Sequence, residues 1–178
     1  MNMYQKYSTH IEKHQWYVLY AWIILGNNLL NLGYIDEDEY DYIQELIQFH
    51  DSSKLSYDEF IPYARKFYGR KPNTERVKLE FKEAVRRHKM RNLHHYESLK
   101  DYKESDWKYY AIELICDYIA MGWEFGTYIT EYYDSVKDKI DLPCEYKSYI
   151  EDIIYNALPS MANEEFTSDT YAYVKCLI

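Results

Sequence analysis

The stretch STHIEKHQWYVLYAWIILGNNLLNL, residues 8–32, decides the fold, because its apolar centre reads either as a membrane span or as one face of a helix in water. Its most apolar part, Trp16 to Leu25, is too short to cross a bilayer, and no basic segment with a small-residue cleavage site precedes it. Ile11, His14, Val18, Ala21 and Leu25 recur at i, i+3, i+7, i+10 and i+14, one stripe of a long helix closed by Asn31 and Gly33. A soluble, unexported helical protein with no membrane partner is expected.

The same period continues outward. Asp36 with Glu39 reads as a capping box for a second helix that lines up Tyr40, Ile43, Ile47 and His50. Ser56 with Glu59 reads as another, although Pro62 should kink or shorten the helix it starts. GRKPNTE is a loop, and a helix from about Thr74 to Arg91 carries Val77, Phe81, Ala84, His88 and Arg91 on one stripe. Ser105 is positioned to cap the next helix, whose stripe is Trp107, Tyr110, Leu114, Asp117 and Met121, ending near Gly122 or Gly126. Two further helices are expected near 127–138 and 143–157. The expected fold is all-α: a single compact bundle of about six to eight helices over 1–178, with the site-bearing helices at about 8–125 and residues 127–178 completing the bundle.

Composition agrees. Only 5 Gly and 4 Pro are available for the tight turns of an all-β chain of 178 residues, and 47% of the residues are apolar. A formal charge of −9 argues against duplex nucleic acid, which is bound through clustered Lys and Arg. Three scattered cysteines, Cys116, Cys144 and Cys176, form no CxxC pair, which suits a reducing, cytoplasmic setting.

Four apolar stripes carry a polar residue: His14, His50, His88 and Asp117 each sit on a different helix, and His94 and His95 follow the end of one of them. Stripes meet in the core, where an unpartnered carboxylate costs several kcal/mol. Either a hydrogen-bonded polar cluster or a divalent cation held by imidazole and carboxylate would compensate them. Neighbours such as His50 and Asp51 diverge by about 100° in mid-helix, but at a helix end loosened by Ser52 and Ser53 both are free to turn inward. Lys54 follows near the same centre, where its charge suits a phosphate oxygen or a leaving group.

The order His14, His50-Asp51, His88, His94-His95, Asp117 resembles that of the HD-type metal-dependent phosphohydrolases, and HDSSK is similar to the HDxxK of the HD-GYP cyclic dinucleotide phosphodiesterases. More closely, residues 10 to 125 resemble a helical family of unknown function found in phages and bacteria, through HDxSKxSxxEF, HKxRNxHHxE and ExxCD, here HDSSKLSYDEF, HKMRNLHHYE and ELICD. The resemblance implies an HD-like bundle with His14, His50, Asp51 and Asp117 as core metal ligands. His88 and His94 or His95 would build a second metal position, with Lys54 as the lysine of HDxxK. It makes Arg91 and Asn92 candidates for substrate phosphate contact, and gives Glu113 the orienting of a histidine. His10 would stand at the margin of the site.

The cofactor implied is one or two divalent transition ions, Mn, Fe, Co, Ni or Zn, and the reaction implied is hydrolysis of a nucleotide or cyclic nucleotide phosphate ester, with Asp51 bridging. No GxGYP follows HHYE, so cyclic di-GMP specificity does not transfer. A phage protein of this kind would destroy a host defence signal in the host cytoplasm. The rival expectation is a non-catalytic, acidic, tyrosine-rich binder that sequesters a nucleotide or occupies a basic groove on a host protein. Assembly into a homo-oligomer is open.

Overall fold

α1 runs from Met3 to Leu32 in the computed structural model, which describes residues 1–163. It begins before the apolar stripe because Asn2 caps it: Asn2 Oδ1 accepts from Gln5 N at 3.0 Å, and Gln5 Oε1 accepts from Asn2 N at 2.9 Å. It stops at Gly33, whose φ of +75° lets Tyr34 N turn back to Leu29 O at 2.9 Å. α2, Glu37–Gln48, carries the expected Asp36–Glu39 box, with bonds of 2.9 and 3.0 Å.

α3, Tyr57–Tyr68, corrects the second capping box. Ser56 Oγ shares its one hydrogen between Ser53 O at 2.6 Å and Asp58 Oδ1 at 2.8 Å, while Glu59 is wholly buried and turned inward. Pro62 lies inside α3 without ending it. Proline lacks the N–H that Asp58 O would accept one turn back, and Arg87 Nη2 supplies that bond instead at 3.1 Å.

α4, Glu75–Arg91, starts at Thr74, and a short α5, Tyr96–Leu99, follows. α6, Trp107–Phe125, starts from Asp106 rather than Ser105, without a side-chain cap, and ends at Gly126 with φ +70°. α7, Ile129–Val136, and α8, Cys144–Asp152, follow; α8 runs into a π-helical turn at Ile153–Ala157. Eight α-helices and no strand occur among the described residues, so the chain is all-α. No helix of the described residues is long and apolar enough to cross a membrane. The expectation for the tail beyond residue 163, Cys176 included, lies outside the described residues.

Packing follows the stripes. Val18, Ala21, Leu25 and Leu29 of α1 meet Ile43 and Ile47 of α2, Ile112, Ile115 and Ile119 of α6 and, from the C-terminal part, Ile150 and Ile153, all buried. Each such side chain contributes about 1.5–3 kcal/mol on leaving water. A smaller apolar cluster joins Tyr7 and Ile11 of α1 to Tyr63 and Ala64 of α3 and Ala84 of α4. On α1, His14 falls between Ile11 of the smaller cluster and Val18 of the larger. The buried polar groups collect around this junction.

Candidate metal centre

The junction of α2 and α3 is built to turn two neighbouring side chains the same way. α2 ends at Gln48, and Asp51 is the one non-glycine residue with positive φ, +57°, among the described residues. Aspartate tolerates this left-handed conformation better than most residues. A 3-10 turn, Ser52–Leu55, follows. Gln15 Nε2 of α1 donates to His50 O at 2.8 Å and Asn92 Nδ2 donates to Ser53 Oγ at 2.9 Å, so the turn is held from both sides.

Asp51, buried with 2% exposure, presents one oxygen to each of two histidine sets. Oδ2 lies 3.5 Å from His50 Nε2 and 3.7 Å from His14 Nε2, and His14 Nε2 is 3.1 Å from Asp117 Oδ1. Oδ1 lies 3.0 Å from His88 Nε2 and 3.6 Å from His94 Nε2. One ligand atom each from His14, His50 and Asp117 falls within 4.8 Å of the others, and the same holds for Asp51, His88, His94 and His95. All seven sequence-predicted ligands are therefore brought together, on α1, the turn that follows α2, α4, the α4–α5 connection and α6.

Behind them stands a layer of carboxylates. Glu113 Oε1 is 2.9 Å from His50 Nδ1 and 3.0 Å from His94 Nδ1, and Glu59 Oε2 is 3.1 Å from His88 Nδ1. Glu124 Oε2 lies 3.6 Å from His14 Nδ1. A carboxylate on Nδ1 keeps the proton there, which leaves Nε2 with its lone pair and fixes the ring. Nε2 of His50 and His94 is accordingly buried without a hydrogen bond, and Nε2 of His95 is buried without one too. The grouping of His50, His94 and Glu113 has hydrogen-bond lengths, and Glu113 braces both rings.

Charge in the cluster is balanced by protons and by Lys54. Burial alone would raise the acid pKa of Asp51, but Lys54 and His50 hold it well below the carboxylate range, and Lys54 Nζ bonds Asp51 Oδ2 directly. Burial opposes ionisation of Glu113 too, yet His94 and His50 bring it down to about 2. For His14, burial disfavours the imidazolium, but its hydrogen bond to Asp117 and the Glu124 carboxylate outweigh that and lift it to about 9. His95 has no such partner: burial, then His94 and His88, push it down to about 2.

A cavity of about 160 Å³ opens onto the Asp51 Oδ2 side, with His14, Asp51 and Lys54 at one end and Tyr7, Tyr63 and Phe67 among its walls. His10 borders it, bonded through Nδ1 to Tyr68 Oη at 3.1 Å and 3.9 Å from Glu124; it stands outside the ligand set. Arg91 and Asn92 line a different cavity, which reaches His94 and Glu113. Their donors are engaged: Arg91 Nη2 with Asp58 at 2.7 Å, Arg91 Nη1 with Glu59 at 2.8 Å, and Asn92 Nδ2 with Ser53 Oγ and His88 O. The structure gives both residues the work of holding Glu59 and the 3-10 turn.

A family model matches residues 3–161, a span that contains every residue of this centre. The chain belongs to the family of unknown function DUF5662. No match is found among curated proteins or among solved structures. Two site residues of this family member escape the sequence reading, Glu59 and Glu124. Glu59 is taken there for a cap, and its neighbour Asp58 offers the same chemistry one position away. Glu124 has a clearer signal: Glu113, Asp117 and Glu124 stand at i, i+4 and i+11, an acidic stripe along an otherwise apolar helix.

Proposed function

We propose that the chain is a metal-dependent phosphohydrolase acting on a nucleotide-type phosphate ester, akin to the HD-type enzymes that its motif order resembles. The observation that carries this reading is Asp51: one buried carboxylate whose two oxygens each face a separate set of imidazoles, with the Nε2 atoms of His50 and His94 unpaired. A polar cluster built only for stability would pair those atoms, since each unsatisfied buried group costs about 1–3 kcal/mol. The donor set fits divalent transition ions: His14, His50, Asp117 and Asp51 Oδ2 at one position, His88, His94, His95 and Asp51 Oδ1 at the other. Nitrogen and carboxylate donors suit Mn, Fe, Co, Ni or Zn alike.

When bound, such ions supply activation of water and polarisation of a phosphoryl group. The chain's own residues do the rest. Lys54, whose ammonium is kept protonated by Asp51 against the effect of burial, offers positive charge to a phosphate oxygen at the cavity's inner end. Asp51 ties the two ligand sets together, and Glu113, Glu59 and Glu124 keep the imidazoles aimed. Tyr7 and Tyr63, both buried, keep bulk water from one side of the centre.

Purified protein loaded with Mn or Zn and offered nucleoside monophosphates, cyclic mononucleotides and cyclic dinucleotides tests the proposal. Turnover that falls at least a thousandfold in Asp51→Asn, with helix content retained, is the expected result; asparagine also tolerates the left-handed backbone, so the fold is spared. Loaded protein that leaves the whole panel intact removes the reading and favours a nucleotide-sequestering binder.

A further inference from the structure

Size and wall chemistry of the cavity beside Asp51 bear on what the phosphate is attached to. The cavity measures about 160 Å³. An engineered apolar cavity of roughly 150 Å³ holds one benzene molecule, whereas drug-sized ligands occupy roughly 300–1,000 Å³. One six-membered-ring-sized group therefore fits next to a phosphate at the inner end, and two do not.

Polarity is uneven around this space. Lys54 and Asp51 lie at the inner end, and Glu124 and His10 stand together on the wall, with Oε1 of the one and Nδ1 of the other 3.9 Å apart. A carboxylate and an imidazole side by side suit the vicinal hydroxyls of a sugar, which donate to the one and accept from or donate to the other. At the outer boundary Phe67 is 50% and Phe125 is 67% exposed. Exposed aromatic rings bordering a cavity are stacking platforms for a planar group.

We propose that the ligand of this site is a mononucleotide, with its phosphate at Lys54 and Asp51, its sugar inside the cavity beside Glu124 and His10, and its base stacked on Phe67 and Phe125. Cyclic dinucleotides are disfavoured, because the cavity receives only one of their two sugars. This rests on the phosphohydrolase reading for the placement of the phosphate, but it concerns binding and stands or falls separately from turnover.

Calorimetric titration of the manganese-loaded full chain with hydrolysis-resistant adenosine 5′-phosphorothioate, ribose 5-phosphate and cyclic di-AMP tests it. The nucleotide analogue binds about tenfold or more tightly than ribose 5-phosphate, the contribution of one stacked base. Phe125→Ala, a change at an exposed side chain that leaves the fold intact, brings the two within about threefold of each other, and cyclic di-AMP binds at least a hundredfold more weakly than the analogue. Cyclic di-AMP binding as tightly as the mononucleotide, or an unchanged ratio in Phe125→Ala, overturns the proposal, as does the absence of binding by the nucleotide analogue. The expected binding pattern without turnover of adenosine monophosphate removes hydrolysis and leaves the mononucleotide site in place.

Discussion

At the residue scale the centre depends on single oxygens doing double duty. Glu113 Oε1 holds both His50 and His94 by Nδ1, at 2.9 and 3.0 Å. Glutamine at this position keeps an acceptor but loses the charge, and its amide hydrogens conflict with any ring that still carries a proton on Nδ1. Glu113→Gln is expected to lower metal affinity by about 10–100-fold, the usual effect of losing a ligand's carboxylate partner, with circular dichroism unchanged. Competition with a coloured chelator reads it directly; equal affinities would show that the rings are held by packing alone. The sequence exposes ligands more readily than braces for a physical reason. A histidine on an apolar stripe is conspicuous, whereas Glu59 stands beside a second acid and after a serine, a context in which helix capping explains it equally well.

At the element scale, periodicity recovers α1, α2, α4 and α6, since each buries one stripe against the core. It fails at ends and turns, where the deciding bonds are made with distant elements: Glu59 leaves Ser56 for His88 and Arg91, and the carbonyl freed by Pro62 is taken by Arg87 of α4. The end of α6 shows how much rests on such details. A Cβ on Gly122 would stand 2.3 Å from Thr127 O, a backbone atom fixed by the chain's turn out of the helix. Thr127 N in turn donates to Gly122 O at 2.9 Å, so neither partner yields cheaply. Gly122→Ala is expected to cost about 1–3 kcal/mol, as overpacking does. It should also loosen Glu124 and Phe125, which lie in the same last turn. Thermal unfolding measures the first effect; a Tm equal to that of the unaltered chain would mean that the turn slides at no cost.

At the scale of the whole molecule, the centre joins α1, the α2–α3 turn, α4, its connection to α5, and α6, so proton and metal equilibria there act on the stability of the entire bundle. In the metal-free protein the pKa of His14 stands at about 9 against 6.5 for an ordinary histidine, through Asp117 and Glu124. A raised pKa stabilises fully below the unfolded value and is lost as pH climbs through the folded one, so this contribution fades between pH 6.5 and about 9. His95 acts in the opposite direction: its pKa is depressed from 6.5 to about 2, and stability falls as pH drops below 6.5. Both effects place the optimum of the chelator-treated protein near pH 6.5. On the proposed metal reading, bound ions would reverse the upper limb, because they compete with protons for the imidazoles and win as pH rises. Ligand at 100 times its Kd adds about 2.7 kcal/mol. The Tm difference between metal-loaded and chelator-treated protein is therefore expected to widen steadily from pH 6.5 to 9, and scanning calorimetry at constant ionic strength measures it. A difference that is flat but above zero would mean that His14 carries no proton for the metal to displace, whereas a difference of zero throughout would make the seven converging side chains a polar cluster.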